Sequence, residues 1–271
     1  MEPFFSVIIP TLNEEKFLPK LLDDLVKQKK QNFEVIIVDG GSEDKTEEVA
    51  KKYSERLKLS FYEHHRRNVS FQRNFGVANS QGKYMLFLDA DSRISPTFIK
   101  IATKIINKEK GLIFIPYIIP GEKNYQLELV FKLANYLAEY SHSIGRPFST
   151  GGNMIVEKNC FQLIGGFPED VFISEDHGLI LKAFKWGIRG KFMRKAKVKF
   201  NLRRMKKEGI RLWYKNLVAI AHILLKRKIY KKAFEYEMGG HVYLDKEKKQ
   251  TPEEVLKKYL QQANDFFNRL F

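Results

Sequence analysis

Through the first 116 residues, apolar positions come in short blocks. Each block is followed by a polar turn and then by a helical pattern. Phe4 to Pro10 (Phe-Phe-Ser-Val-Ile-Ile-Pro) reads as one strand and Glu34-Val35-Ile36-Ile37-Val38 as a second, apolar on both faces. Further strands are expected near 58–63, 83–89 and 112–116, with helices near 14–29, 43–55, 69–79 and 96–107. That alternation argues for βαβ units and an α/β fold with a mainly parallel sheet. Ser95-Pro96 offers an N-cap and a first-turn proline for the fourth helix, and Ser70 a cap for the third.

After residue 116 the blocks lengthen. Residues 124–144 form one helical pattern rich in Leu, Phe and Tyr. Core packing is the expected role of most of its apolar side chains, Phe131, Tyr136, Leu137 and Tyr140 among them. The same side chains would also suit an apolar wall beside a lipid. A short strand near 151–156, a helix over 175–186 and strands near 190–201 follow. Residues 206–239 read as helices, and Thr251-Pro252-Glu253-Glu254 is a capping box opening a last helix at 252–270. Two regions are therefore expected: an α/β domain over 1–205 and a helical region over 206–271.

Charge sharpens that division. The net charge of +16 comes from 48 basic and 32 acidic residues among 271. Lys191 to Lys232 holds 16 basic residues against the single acid Glu208, so the remainder is almost balanced. A near-neutral domain with one basic segment calls for an anionic neighbour. At 100° per residue, Ile210 to Lys228 gathers Ile210, Trp213, Leu217 and Leu224 on one face, as an interfacial helix on anionic lipid would. A helix packed on the domain with a wet basic edge fits the same pattern. One cysteine, Cys160, excludes an internal disulfide and fits a reducing compartment. Met1-Glu2-Pro3 leads straight into a strand, with neither a basic start nor a cleavage site, so no signal peptide is expected. The apolar stretch from Asn216 to Leu225 falls far short of the ~20 residues of a spanning helix. The expected location is cytoplasmic, peripheral on the inner membrane face.

The candidate chemistry centres on Asp89-Ala90-Asp91, at the end of the apolar run 83–88. Carboxyl ends of strands are where open α/β sheets bind ligands. Two hard oxygen ligands one residue apart suit Mg²⁺ or Mn²⁺, which also takes phosphate oxygens. Asp39-Gly40-Gly41-Ser42 closes the second strand, and would serve equally as a turn capping the next helix. Gln72-Arg73-Asn74 opens a helix. Gly151-Gly152-Asn153-Met154 comes later, then Ile164-Gly165-Gly166-Phe167 and Ser174-Glu175-Asp176-His177. With Ser174 as N-cap, Glu175 and Asp176 occupy a first helical turn, where the dipole favours ionised carboxylates. First-turn acids are also common for that reason alone.

This ordered set closely resembles family 2 glycosyltransferases, inverting nucleotide-sugar enzymes of the GT-A fold, over about residues 4 to 205. The resemblance implies a Rossmann-like sheet flanked by helices, a UDP- or GDP-linked sugar donor, and a divalent cation, Mg²⁺ or Mn²⁺. It places Asp39 against the nucleotide base, with Pro10, Thr11, Asn13, Glu14 and Gly41 around it and Arg73 near the diphosphate. Asp91 ranks above Asp89 as direct metal ligand, Asp89 reaching ribose or metal-bound water. Asp176, beside Glu175, is implied as the base that deprotonates an acceptor hydroxyl. Gly151 and Gly152 would floor the sugar site, with His177 a helix-surface or acceptor-side residue. Arg203-Arg204, two cations after a strand, offer a diphosphate clamp or a solvated basic patch. His222 and His241 are the other candidates for a late histidine on the metal.

Many members carry Asp-Asp-Gly-Ser where this chain has Asp39-Gly40-Gly41-Ser42, so any role of the second acid is absent here. The expected acceptor is a polyprenyl-linked glycan, a polyprenyl phosphate or a glycolipid, met at an anionic membrane surface. A sugar-nucleotide nucleotidyltransferase would begin with a Gly-rich, Arg-containing loop, where this chain has Thr11-Leu12-Asn13-Glu14-Glu15. A nucleic-acid-binding role would leave Asp39, Asp91 and Asp176 unexplained, because strand-end carboxylates repel phosphate unless a metal intervenes. No nucleic-acid partner is expected.

Overall fold

Strand β1 (Phe5–Thr11) lies between β2 (Phe33–Asp39) and β4 (Tyr84–Phe87), parallel to both, and β3 (Leu59–Glu63) adds a parallel edge beyond β2. The chain is seen here in a computed structural model that describes residues 2–149, 151–170 and 175–203. The expected helices at 206–239 and 252–270, the helix at Ile210 to Lys228, the boundary at 205/206 and the Ser174 cap lie outside the described residues. So do His222 and His241.

The sheet continues past β4 through β7 (Met154–Glu157), β6 (Ile113–Pro120), β8 (Lys191–Phe200) and β5 (Arg93–Ile94). There β7 runs antiparallel to both neighbours and β5 antiparallel to β8, while β6 and β8 are parallel. The parallel expectation therefore holds for the N-terminal half, and the second half is mixed.

Alternation along the strands builds both faces. Phe5, Val7 and Ile9 meet Leu18, Leu21, Leu22 and Leu25 of α1 (Leu18–Val26) and Phe98 and Ile106 of α4 (Phe98–Glu109). Ile8, Ile36 and Val38 point the other way, towards Val77 of α3 (Val69–Ala78) and Leu179 and Ile180 of α7 (Glu175–Lys185). Helices on both faces are why the strands read as continuous apolar runs. Two short elements escaped the pattern, the two-residue β5 and α6 (Lys158–Leu163), whose N-cap Glu157 accepts from the Cys160 backbone N–H.

Two expected caps are replaced. Helix α4 starts at Phe98 with no side-chain cap from Thr97, and Gln28 Oε1 accepts from the Ile99 N–H at 3.0 Å instead of Ser95. Helix α3 is capped by Asn68, whose side chain accepts from the Phe71 N–H at 2.8 Å, and Ser70 is buried inside the first turn. Helix α5 (Tyr125–Ser143) corrects the core-packing expectation. Phe131 is buried, whereas Tyr136, Leu137 and Tyr140 are exposed. Only one side of that helix meets the sheet. Cys160 is a free, buried thiol, and its burial pushes its pKa up to about 11. No helix among the described residues is long and apolar enough to cross a membrane.

Candidate active site

Parallel register brings the ends of β1, β2 and β4 to one edge, with Thr11 directly opposite Asp39. There the Asp39 carboxylate is fully engaged. Oδ1 accepts from the hydroxyls of Thr11 (2.7 Å) and Ser42 (2.6 Å), and Oδ2 from the N–H groups of Gly41 (3.0 Å) and Ser42 (2.6 Å). Gly41 sits at φ +83°, a conformation that glycine adopts without strain. Asn13, itself at φ 54°, accepts from the Glu43 N–H, and its own N–H donates to Ser42 Oγ. Gln72 donates to the carbonyls of both Thr11 and Val38 at 2.8 Å. Pro10 is half-buried one residue before the edge. Asp39 thus closes a local turn around its carboxylate but does not cap the next helix, α2 (Thr46–Lys51), which has no side-chain cap.

Two arginines cross this edge. Arg73 is buried, so the exposed-helix reading is excluded. It bridges Asp89 (Nη2 to Oδ1, 2.8 Å) and Glu175 (Nη1 to Oε1, 2.6 Å), with its guanidinium over the Phe167 ring. Burial opposes its charge, but Asp89 and Glu175 raise its pKa above the usual value. Burial in turn raises the pKa of Glu175, against the pull of Arg73. Arg203 forms the second bridge. It forks onto Glu14 at 2.7 and 3.0 Å, reaches Asp91 Oδ2 at 3.1 Å, and stacks on Phe17. Burial raises the Glu14 pKa despite that partner. Arg204 lies outside the described residues.

The antiparallel β4–β7 pair sets Met154 opposite Phe87, which carries the preceding glycines towards Asp89. A β-carbon on Gly152 would stand 2.0 Å from Arg73 Nη2, so this glycine makes room for the arginine. Gly151, at φ +135°, faces open space. Asn153 is buried, and its Oδ1 accepts from the Asp89 N–H and the Ser92 hydroxyl. Asp176 is buried in the first turn of α7, and nothing among the described residues hydrogen-bonds to its carboxylate. His177 is buried, which excludes the helix-surface reading; among the described residues neither ring nitrogen has a hydrogen-bond partner, and burial lowers its pKa to about 4.

Several supporting residues carried no motif. Asp24, buried in α1, takes the Arg93 guanidinium at 2.6 and 2.8 Å and the Ile94 N–H at 3.1 Å, fixing the chain just after Asp91. Asn74 accepts from the Phe167 N–H and donates to the Phe167 carbonyl and to Glu169, tying α3 to the segment before α7. Beside Asp91 a cavity of about 200 Å³ is lined by Phe17, Lys20, Arg93, Lys199 and Phe200.

In charge, Glu14, Asp89, Asp91, Glu175 and Asp176 surround two guanidiniums, those of Arg73 and Arg203. Among the described residues no cluster of three or more His, Cys, Asp or Glu side chains could hold a metal on its own. Asp89 and Asp91 instead offer a partial set of hard oxygens at the cleft, which fits Mg²⁺ or Mn²⁺ completed by phosphate oxygens.

The chain matches the family model "Glycosyl transferase family 2" over residues 6–164. The poly(ribitol-phosphate) beta-N-acetylglucosaminyltransferase TarS of Staphylococcus aureus is 37% identical over 191 residues, 66% of this chain and 32% of TarS. An uncharacterized glycosyltransferase of Rickettsia prowazekii is 27% identical over 194 residues, 68% of this chain and 59% of that protein. The chain thus spans about three fifths of one relative and about a third of the other. Crystallised TarS 1–349 in complex with UDP-GlcNAc superposes with a TM-score of 0.60 at 24% identity, covering 74% of this chain and 58% of that one. The Pyrobaculum calidifontis mannosyltransferase PcManGT, in complex with GDP-Man and Mn²⁺, gives 0.62 at 19% identity, covering 81% and 65%. At those identities the superpositions show a shared fold.

Proposed function

The chain belongs to glycosyl transferase family 2, and from that premise we propose that it moves a sugar, with inversion, from a UDP- or GDP-linked donor to an acceptor hydroxyl. One observation carries the reading. Asp89, Asp91, Arg73, Arg203 and the α7 acids converge at the carboxyl edge of the sheet, from four separate stretches of chain. The TarS and PcManGT complexes hold UDP-GlcNAc and GDP-Man, which supports a nucleotide-sugar donor without choosing between them.

In this reading the Asp39 loop frames the nucleotide, with Pro10, Thr11, Asn13, Glu14 and Gly41 shaping the wall and Asp39 holding the loop rather than offering an open carboxylate. Arg73 and Arg203 face the diphosphate. Asp91, with Asp89 beside it, would hold Mg²⁺ or Mn²⁺, and that cation supplies neutralisation of charge on the departing diphosphate. Asp176 takes the proton from the acceptor hydroxyl, whose oxygen attacks the anomeric carbon opposite the leaving diphosphate. Glu175 is held on Arg73 and positions the first turn of α7. Gly151 and Gly152 bring the backbone close to the sugar. We assign the acceptor to the polyprenyl-linked glycans, polyprenyl phosphates or glycolipids, met at an anionic membrane surface. For a phosphate acceptor, already a nucleophile, Asp176 would position rather than deprotonate.

Calorimetric titration with UDP and GDP, with and without Mn²⁺, tests this. Metal-dependent binding of one nucleotide, lost in Asp91→Asn, is the expected result. No binding of either nucleotide in the presence of metal would overturn it and favour a polyanion-binding role for the basic segment.

A further inference from the structure

Helix α5 has two apolar faces, and among the described residues only one is packed. Phe131, Asn135, Ala138, Ser141 and His142 point inwards, and Asn135 hydrogen-bonds both backbone groups of Ile118 in β6. On the other side Tyr125, Leu129, Leu133, Leu137, Tyr140 and Ile144 are each more than half exposed. At 100° per residue these six fall within an arc of about 120°. Soluble surfaces rarely present so continuous an apolar stripe without a partner.

The charge beside the stripe identifies that partner. Strand β8 carries Arg194, Lys195 and Lys197, all exposed, and no acid, while its Lys191 donates to the Glu109 carbonyl and its Lys199 lines the cavity beside Asp91. Arg194 joins the two elements by pairing with Glu139 of α5, at 2.9 and 3.2 Å, and lying over the Tyr136 ring. The Glu139 charge is thereby matched, which leaves Glu128 and Lys132 as the other charges along the edge of the stripe. An apolar face flanked by lysines, with tyrosines along it, has the chemistry of an interfacial helix on anionic lipid. A purely apolar protein partner would gain nothing from the lysines.

We propose that the Tyr125–Ile144 face of α5 lies on an anionic lipid surface, with β8 supplying the cationic flank. This deepens the acceptor reading by naming the face that meets the membrane. Because it is tested without nucleotide, its failure would leave the transferase reading standing.

The test is co-sedimentation of the full chain with vesicles of phosphatidylglycerol and phosphatidylcholine, or of phosphatidylcholine alone. The expected result is binding to the anionic vesicles, weakened by salt and roughly tenfold or more weaker in Leu133→Glu/Leu137→Glu. Both positions are exposed, so an unchanged melting temperature is expected of that variant. A second measurement places the helix directly. Leu133→Cys, labelled with a polarity-sensitive dye while Cys160 stays buried, should shift its emission to the blue on anionic vesicles. Three results would overturn the proposal: equal vesicle binding by the double variant, a concentration-dependent dimer abolished by it, or a large fall in its melting temperature with vesicle binding intact. The second would assign the stripe to another copy, the third to the chain's own fold.

Discussion

Replacing Arg73 with leucine removes one cation and leaves two carboxylates facing a cavity. Glu175 is the more deeply placed, with its side chain 16% exposed, whereas Asp89 is 33% exposed and can turn to water. Removing one partner of a buried pair costs roughly 3–5 kcal/mol, and the exposure of Asp89 puts this case near 3. For a domain of this size that is a fall of about 6–12 °C in melting temperature. Adding Glu175→Gln removes the stranded charge and should recover about 1–2 kcal/mol of the loss. Urea unfolding of wild type, both single variants and the double variant gives the coupling directly. If Arg73→Leu loses under about 1 kcal/mol, or the second change adds its full cost to the first, the bridge does not hold the site together. Nucleotide titration on the same four proteins separates folding from function. Arg73→Leu/Glu175→Gln should fold yet bind nucleotide weakly, because Arg73 would face the diphosphate.

Gly152→Ala should behave like a weaker Arg73 variant, since its β-carbon would meet the guanidinium at 2.0 Å, and a melting temperature equal to wild type would refute that clash. His177, with its pKa lowered from 6.5 to about 4, binds its proton in the unfolded chain first. It therefore withdraws stability as pH falls from about 6.5 towards 4, by about 3 kcal/mol at most, and His177→Leu should flatten that part of the stability–pH curve. Asn68→Ala should cost about 1 kcal/mol through the lost cap, measured by urea unfolding. It should also loosen the segment before α7, because the Asn68 amide donates to the Glu169 carbonyl.

The strands were legible because burial on both faces leaves an unbroken apolar run, and Asp89, Asp91 and Asp39 because each stands where such a run stops. What those carboxylates touch was not legible. Arg73 lies 16 residues before Asp89 and 102 before Glu175, and Arg203 lies 189 after Glu14, so only the folded sheet pairs them. The one local trace was Gly152, a glycine whose missing side chain is the space for Arg73. Asn68 capped α3 locally, because the helix begins at Val69 and takes Ser70 inside its first turn, whereas Gln28 reached the start of α4 only through tertiary packing. Helix α5 misled for a related reason: a helix with two apolar sides can lay only one of them on one sheet. The same pairing cross-braces the site. Asp89 and Asp91 each rest on an arginine, and each arginine is also held by a glutamate. A diphosphate arriving with a divalent cation would offer an anion to the arginines and a cation to the aspartates together. Either ion alone would break those pairs without replacing them, which is why nucleotide and metal should bind this site cooperatively.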